Sequence, residues 1–162
     1  EEKSVVCEVD KTALLGHTIL KNGEMIIAKE NVERFKNSLR KITKRNRGVS
    51  FDQVISELNP KLRGWFEYYK HTNSKGLFRD LDAWLRRKLR CYRIKQTKRA
   101  IGLVRFLKKH RVVTYQAWII ALSGVGWWRK SAAPQIHQAM SNSWFREQNL
   151  FNLSFNYEKL KY

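Results

Sequence analysis

The sequence predicts a mainly α protein, a bundle of helices preceded by a short β-hairpin. Three observations carry this prediction. Apolar residues recur at helical spacing through most of the chain after residue 29. The stretch 14–28, LLGHTILKNGEMIIA, is instead β-prone and contains Asn22-Gly23, the favoured pair for a two-residue hairpin turn. Gly48, Pro60, Gly76 and the run SGVGWWRKSAAP then break the helical pattern into segments.

Each element has its own justification. Residues 15–20 and 25–28 form the expected hairpin, and SVVCEV at 4–9 reads as a further short strand. Over 29–47, Val32, Phe35, Leu39 and Ile42 make an apolar stripe, with Lys36, Arg40, Lys44 and Arg47 along a basic side. Gly48 suits a left-handed cap after that helix. Ser50 and Gln53 form a capping box, and Val49 and Val54 fit the hydrophobic staple. Pro60 is expected to open or kink a second segment. Within LNPKLRGWFEYYK, residues 58–70, Leu62, Trp65, Phe66 and Tyr69 fall on one stripe and read as core. Arg63, Glu67 and Lys70 fall on another side, and Tyr68, off the stripe, is the candidate exposed ring. This helix is expected to end near Asn73. The next, 77–95, turns Phe78, Leu81, Leu85, Leu89 and Tyr92 inward and sets Arg79, Arg86, Arg90 and Arg93 along its outer side. Further helices are expected over 100–110, 114–122 and 134–148. The tail NLFNLSFNYEKLKY alternates polar and apolar residues, which fits a short strand or an ordered extension.

Composition narrows the function. A formal net charge of +19 over 162 residues is costly in self-repulsion unless a polyanion offsets it. Nucleic acid is the first candidate and an anionic membrane surface the second. Between Asp82 and Glu147 the chain has no acid, yet that interval holds 15 Lys and Arg. A merely solvated face mixes signs, so this interval reads as a phosphate-binding surface. Six Trp among 12% aromatic residues mark a folded chain rather than a basic tail. Cys7 and Cys91 are isolated and make neither a disulfide framework nor a zinc site, which suits a reducing compartment. No apolar run is long enough to span a membrane, and no signal peptide opens the chain. The first residue is Glu1 rather than Met, so the chain reads as a piece of something longer.

No catalytic constellation stands out. Metal-dependent phosphoryl transfer needs clustered carboxylates, and the basic half has none. Asp80 and Asp82, two apart on a helix, face different ways. His17, His71, His110 and His137 lack metal-ligand spacing. Ser123-Gly124-Val125-Gly126 lacks the lysine of a phosphate-binding loop. The residues describe a binding module.

The stretch LNPKLRGWFEYYK also resembles the maturase-specific region of group II intron reverse transcriptases. The residues that carry the likeness are Asn59, Arg63, Gly64, Trp65, Tyr68 and Tyr69. FRDLDAWLRRKLRCYRIKQTKR follows the same family's pattern of a Leu-Asp helix that becomes strongly basic. LLGHTIL resembles the family's last palm strand, and GVGWWRKSAAPQIHQAMSNSWFREQNL resembles the end of its maturase domain. The resemblance implies a palm remnant over 1–28, thumb-like helices with the Arg-Gly-Trp segment over 29–95, and a basic helical maturase region over 96–162. It implies two partners, group II intron RNA and a template–primer RNA/DNA duplex. A homodimer stays open, and no membrane partner is expected. The Tyr-x-Asp-Asp polymerase motif is absent. Magnesium and polymerase activity are therefore expected of the longer enzyme, and no catalysis or cofactor of this fragment. A bacterial-type cytoplasmic location goes with that reading.

The cations expected to face RNA are Lys36, Arg40, Lys44, Arg63, Lys70, Arg79, Arg86, Arg87, Arg90, Arg93, Lys95, Lys98, Arg99, Lys108, Lys109, Arg111, Arg129 and Lys130. Trp127 and Trp128, in a basic break, are the better base-stacking candidates, with a place in the core as the alternative. The rival readings are a helical DNA-binding module of a mobile-element protein and an active nuclease, which the lack of clustered acids disfavours.

Overall fold

A computed structural model of the chain describes residues 13–160. The described residues form a three-stranded antiparallel sheet followed by nine helices. The strand expected over 4–9 lies outside the described residues.

The sheet is built from two tight connections. β1 (Ala13–Leu14) pairs with β2 (His17–Ile19) through the two-residue turn Leu15-Gly16, both at positive φ (50° and 83°), as a type I′ turn requires. Leu15 therefore belongs to a turn, not to the strand expected from 15 to 20. β2 pairs with β3 (Met25–Ile27), with Ile19 opposite Met25. The connection is longer than the expected Asn-Gly turn. Gly23 N–H donates to Leu20 O, and Gly23 alone takes positive φ (82°). Lys21 and Asn22 are then the central residues and Gly23 the bulge position of a three-residue loop. The Asn22 side chain accepts from Glu24 N–H, which favours the tighter bend at Lys21-Asn22.

The long helices follow the apolar stripes. α1 (Lys29–Ile42) buries Val32, Phe35, Leu39 and Ile42. α2 (Phe51–Tyr69) is N-capped by Ser50, whose hydroxyl accepts from Gln53 N–H. It runs unbroken through Pro60, where the sequence suggested a new start. Leu58 and Leu62, on either side of Pro60, are fully buried, so packing outweighs the hydrogen bond that proline removes. α3 (Lys75–Gln96) buries Phe78, Leu81, Leu85, Leu89 and Tyr92. α4 (Ala100–Lys109) and α5 (Thr114–Leu122) follow.

The last third departs most from expectation. The turn-rich break contains a short helix, α6 (Trp127–Lys130). The helix expected over 134–148 is two, α7 (Pro134–Ala139) and α8 (Asn142–Glu147). Ser141 separates them, because its side chain accepts from Trp144 N–H and caps α8. The tail is neither strand nor extension but α9 (Leu153–Lys159), capped by Asn152. Asp82 on α3 reinforces that start by accepting from Leu153 N–H (3.0 Å) and Ser154 N–H (2.8 Å). Burial pushes the Asp82 carboxyl up, opposed by those two donors and the nearby Arg86.

One apolar core joins β3 to α9, from Ile27 to Tyr157. The apolar residues flanking the Arg-Gly-Trp segment belong to it, while Arg63 and Gly64 are exposed. Leu62, Phe66, Tyr69, Phe78, Leu81 and Leu85 are buried, and Trp65 is half-buried, stacked on Phe35 with centroids 4.3 Å apart. Asn59 clasps the chain between α8 and α9, donating to Asn149 O (2.8 Å) and accepting from Phe151 N–H (2.9 Å). Tyr68 is exposed, and its hydroxyl donates to Leu15 O (2.8 Å). With the His17 ring against both Tyr68 and Tyr69, this fixes the sheet to the end of α2. Gly16 has no room for a side chain there. A Cβ would sit 2.5 Å from Asn31 Nδ2 and 2.6 Å from the Tyr69 hydroxyl.

Candidate nucleic-acid interface

Helix ends decide where the cations go. The last four carbonyls of a helix lack internal partners, and cations suit that negative end. Arg47 Nη1 donates to Ile42 O at the end of α1. Lys130 Nζ donates to Ala121 O in the last turn of α5, and Lys130 is buried. Arg90 donates to Met140 O through Nε (3.0 Å) and Nη2 (2.9 Å), closing α7. Arg90 is only 5% exposed. Burial, with Arg86 nearby, lowers its pKa to about 10, so it stays charged at neutral pH. The expectation that Arg90 and Lys130 face outward is thus corrected: both are internal caps.

The other expected cations divide by partner. Lys36 and Arg40 meet Glu33, and Lys70 meets Glu67 at 2.6 Å. Those hydrogen bonds hold the Glu33 carboxyl below its ordinary value. Arg63 is exposed, over the Phe151 ring at 5.6 Å. Lys44, Arg79, Lys98, Arg99, Lys108, Lys109, Arg111 and Arg129 are exposed, whereas Arg86, Arg87, Arg93 and Lys95 are half-buried. Lys98 and Arg111 hold positive φ (58° and 62°) just after α3 and α4, positions that glycine ordinarily fills.

Three neighbouring clefts that share lining residues gather many of these groups. The first, about 180 Å³, is lined by Thr43, Arg45, Lys88, Cys91 and Trp128. Arg45 also lines the second, about 580 Å³, with Lys95, Lys98 and Tyr92. Ser50 and Gln96 join that to the third, about 500 Å³, which adds Arg93, Lys109, Phe106 and Trp144. Among the described residues six cations border this track, and Asp52 is the single acid along it.

A cation–aromatic ladder extends the first cleft. Arg40 lies 5.5 Å from the Trp84 ring, and Lys88 lies between the Trp84 and Trp128 rings at 5.8 and 5.2 Å. Arg87 packs over Trp128 at 4.1 Å. Trp128 is 39% exposed, whereas Trp127 is half-buried against the core. Burial, with Arg40 and Arg45 nearby, lowers the Lys88 pKa.

Sequence reasoning passed over Arg45, Trp84 and Lys88 as site residues. The Trp84–Lys88 spacing of four on a basic helix was the available signal. Arg45 lies beyond the end of α1 and gave none. Among the described residues, no three His, Cys, Asp or Glu side chains converge to hold a metal ion. No helix among the described residues is long and apolar enough to cross a membrane.

A helical bundle with a cation-lined, acid-poor track has the architecture that polyanion binding requires. A family model described as the group II intron, maturase-specific domain matches residues 32–113, and the chain belongs to that family. The cations of the track lie inside the matched region. A search of curated proteins found no match.

Proposed function

We propose that this chain binds folded group II intron RNA along the track and steadies it for splicing. In a longer reverse transcriptase the same helices would grip a template–primer duplex. The observation that carries the reading is the charge of three neighbouring clefts, lined among the described residues by six cations against one carboxylate. Splicing chemistry belongs to the RNA, so the protein needs a rigid frame and broad phosphate neutralisation. The core around Trp65 and Phe66 supplies the frame, and the cations between α1 and α4 supply the charge. On this reading the chain works in a bacterial-type cytoplasm, and magnesium serves parts of the enzyme outside these residues.

Salt dependence tests the reading. Each phosphate contact contributes about 0.7 to 0.9 to the slope of log affinity against log salt. Replacing Lys95 and Lys109 together by Gln should flatten that slope by about 1.4 to 1.8 while circular dichroism stays unchanged. An unchanged slope in a folded double variant would show that RNA does not follow the track.

A further inference from the structure

We infer that the cleft formed by Thr43, Arg45, Lys88, Cys91 and Trp128 is a site for one unpaired nucleotide, its base stacked on Trp128 and its phosphate held by Lys88 and Arg45. This rests on the RNA-binding reading and specifies what one end of the track receives.

Size is the first argument. The cleft is about 180 Å³, below the roughly 300 Å³ at which pockets for whole small ligands begin. It therefore suits a fragment of a larger molecule, such as one ring. The second argument is the wall. Trp128 remains 39% exposed although Arg87 packs over its ring at 4.1 Å and donates to Trp128 O. The indole is thus held in place while part of it stays open, and a π-face held rigid is what stacking uses. The third argument is charge. The Arg45 guanidinium donates to Cys91 Sγ at 3.7 Å and meets no carboxylate among the described residues. Lys88 stands between two tryptophans with Arg40 and Arg45 near it. Lys88 is half-buried, and the repulsion it meets from the exposed Arg40 and Arg45 is relieved by an anion. The base must be unpaired, because in a duplex both of its faces are covered by stacked neighbours.

The test uses the full chain with two RNA probes of equal charge. One is a short single strand carrying 2-aminopurine, whose fluorescence falls on stacking. The other is a hairpin closed by a base-free linker, so that it carries no unpaired base. Trp128→Ala should weaken single-strand binding by about 5- to 150-fold, the range expected for one lost base–aromatic stack, and abolish the quenching. Hairpin affinity should be unchanged. Trp128→Phe should keep part of the quenching. Arg45→Gln should weaken single-strand binding with little change in melting temperature. Tyr115→Ala, at an exposed ring on α5, serves as the control and should do nothing. If Trp128→Ala folds, binds the single strand like the parent and still quenches, the nucleotide site is refuted while RNA binding stands. Equal losses on both probes would also refute it. If the parent chain binds neither probe at low salt, the RNA-binding reading falls and the nucleotide site with it.

Discussion

Lys98 and Arg111 occupy backbone positions that should make them replaceable at a gain in stability. Both lie just past a helix end at φ near +60°, where an L side chain is strained by about 1–2 kcal/mol. The helix ends themselves are well made. After α4, Arg111 N–H donates to Lys108 O and Val112 N–H to Leu107 O, and Val112 is buried beneath. Glycine would relieve the strain but would cost about 0.5–1 kcal/mol through its freer unfolded chain. The net gain is about 0.5–1 kcal/mol per site. A chain of this size melts about 2–4 °C higher per kcal/mol. Lys98→Gly with Arg111→Gly should therefore raise the melting temperature by about 2–8 °C. The same pair should flatten the salt dependence of RNA binding by about 1.4–1.8 if both cations face phosphate. Calorimetry and RNA titration at several salt concentrations measure the two effects on one sample. A variant that melts no higher than the parent refutes the strain argument. One that melts higher and binds RNA with the parent slope shows that these cations face solvent.

Other perturbations separate frame from contact. Arg90→Gln should cost about 1–3 kcal/mol, because it leaves Met140 O without its buried partner; urea melting would show it, and a variant as stable as the parent would place Arg90 outside the core. Trp65→Ala should cost about 3 kcal/mol, the low end for a half-buried tryptophan, whereas Tyr68→Phe should lose only the bond to Leu15 O, about 1 kcal/mol. Burial, then neighbouring cations, lower the pKa values of both His110 and His137 below 6.5. The unfolded chain thus binds these protons before the folded chain does. Stability should fall as pH drops through about 6.5 towards the folded values, and the melting temperature of His110→Gln/His137→Gln should respond less to that acidification.

Periodicity made the frame legible. The stripes of α1, α2 and α3 name side chains that are buried, Trp65 alone being half-buried, and the Ser50–Gln53 pair marks a real helix start. What could not be read depended on partners distant in sequence. Pro60 sits inside α2 because Leu58 and Leu62 are buried on both sides of it. α9 forms where Asp82, more than 70 residues away, receives its first amides. Arg90 lies near one line with Arg86 and Arg93 on an isolated helix, yet α7 and α8 cover that line at Arg90 through Met140 and Phe145. Lys130 is likewise turned inward, onto Ala121 O at the end of α5. Charge counting located the basic region but could not distinguish helix caps from surface groups. Trp84, Lys88 and Arg45 emerge as a site only when the segment after α1 and the short helix α6 are brought against α3.

On the proposed function, this surface prefers folded intron RNA to duplex DNA. The direct measurement is competitive filter binding of the chain to a folded group II intron RNA against duplex DNA of equal charge, at low and at near-physiological salt. Both ligands should bind at low salt, where phosphate neutralisation dominates. At the higher salt the intron RNA should remain bound and the DNA should be lost. Equal loss of both, or retention of the DNA, would contradict the account and favour a DNA-binding module.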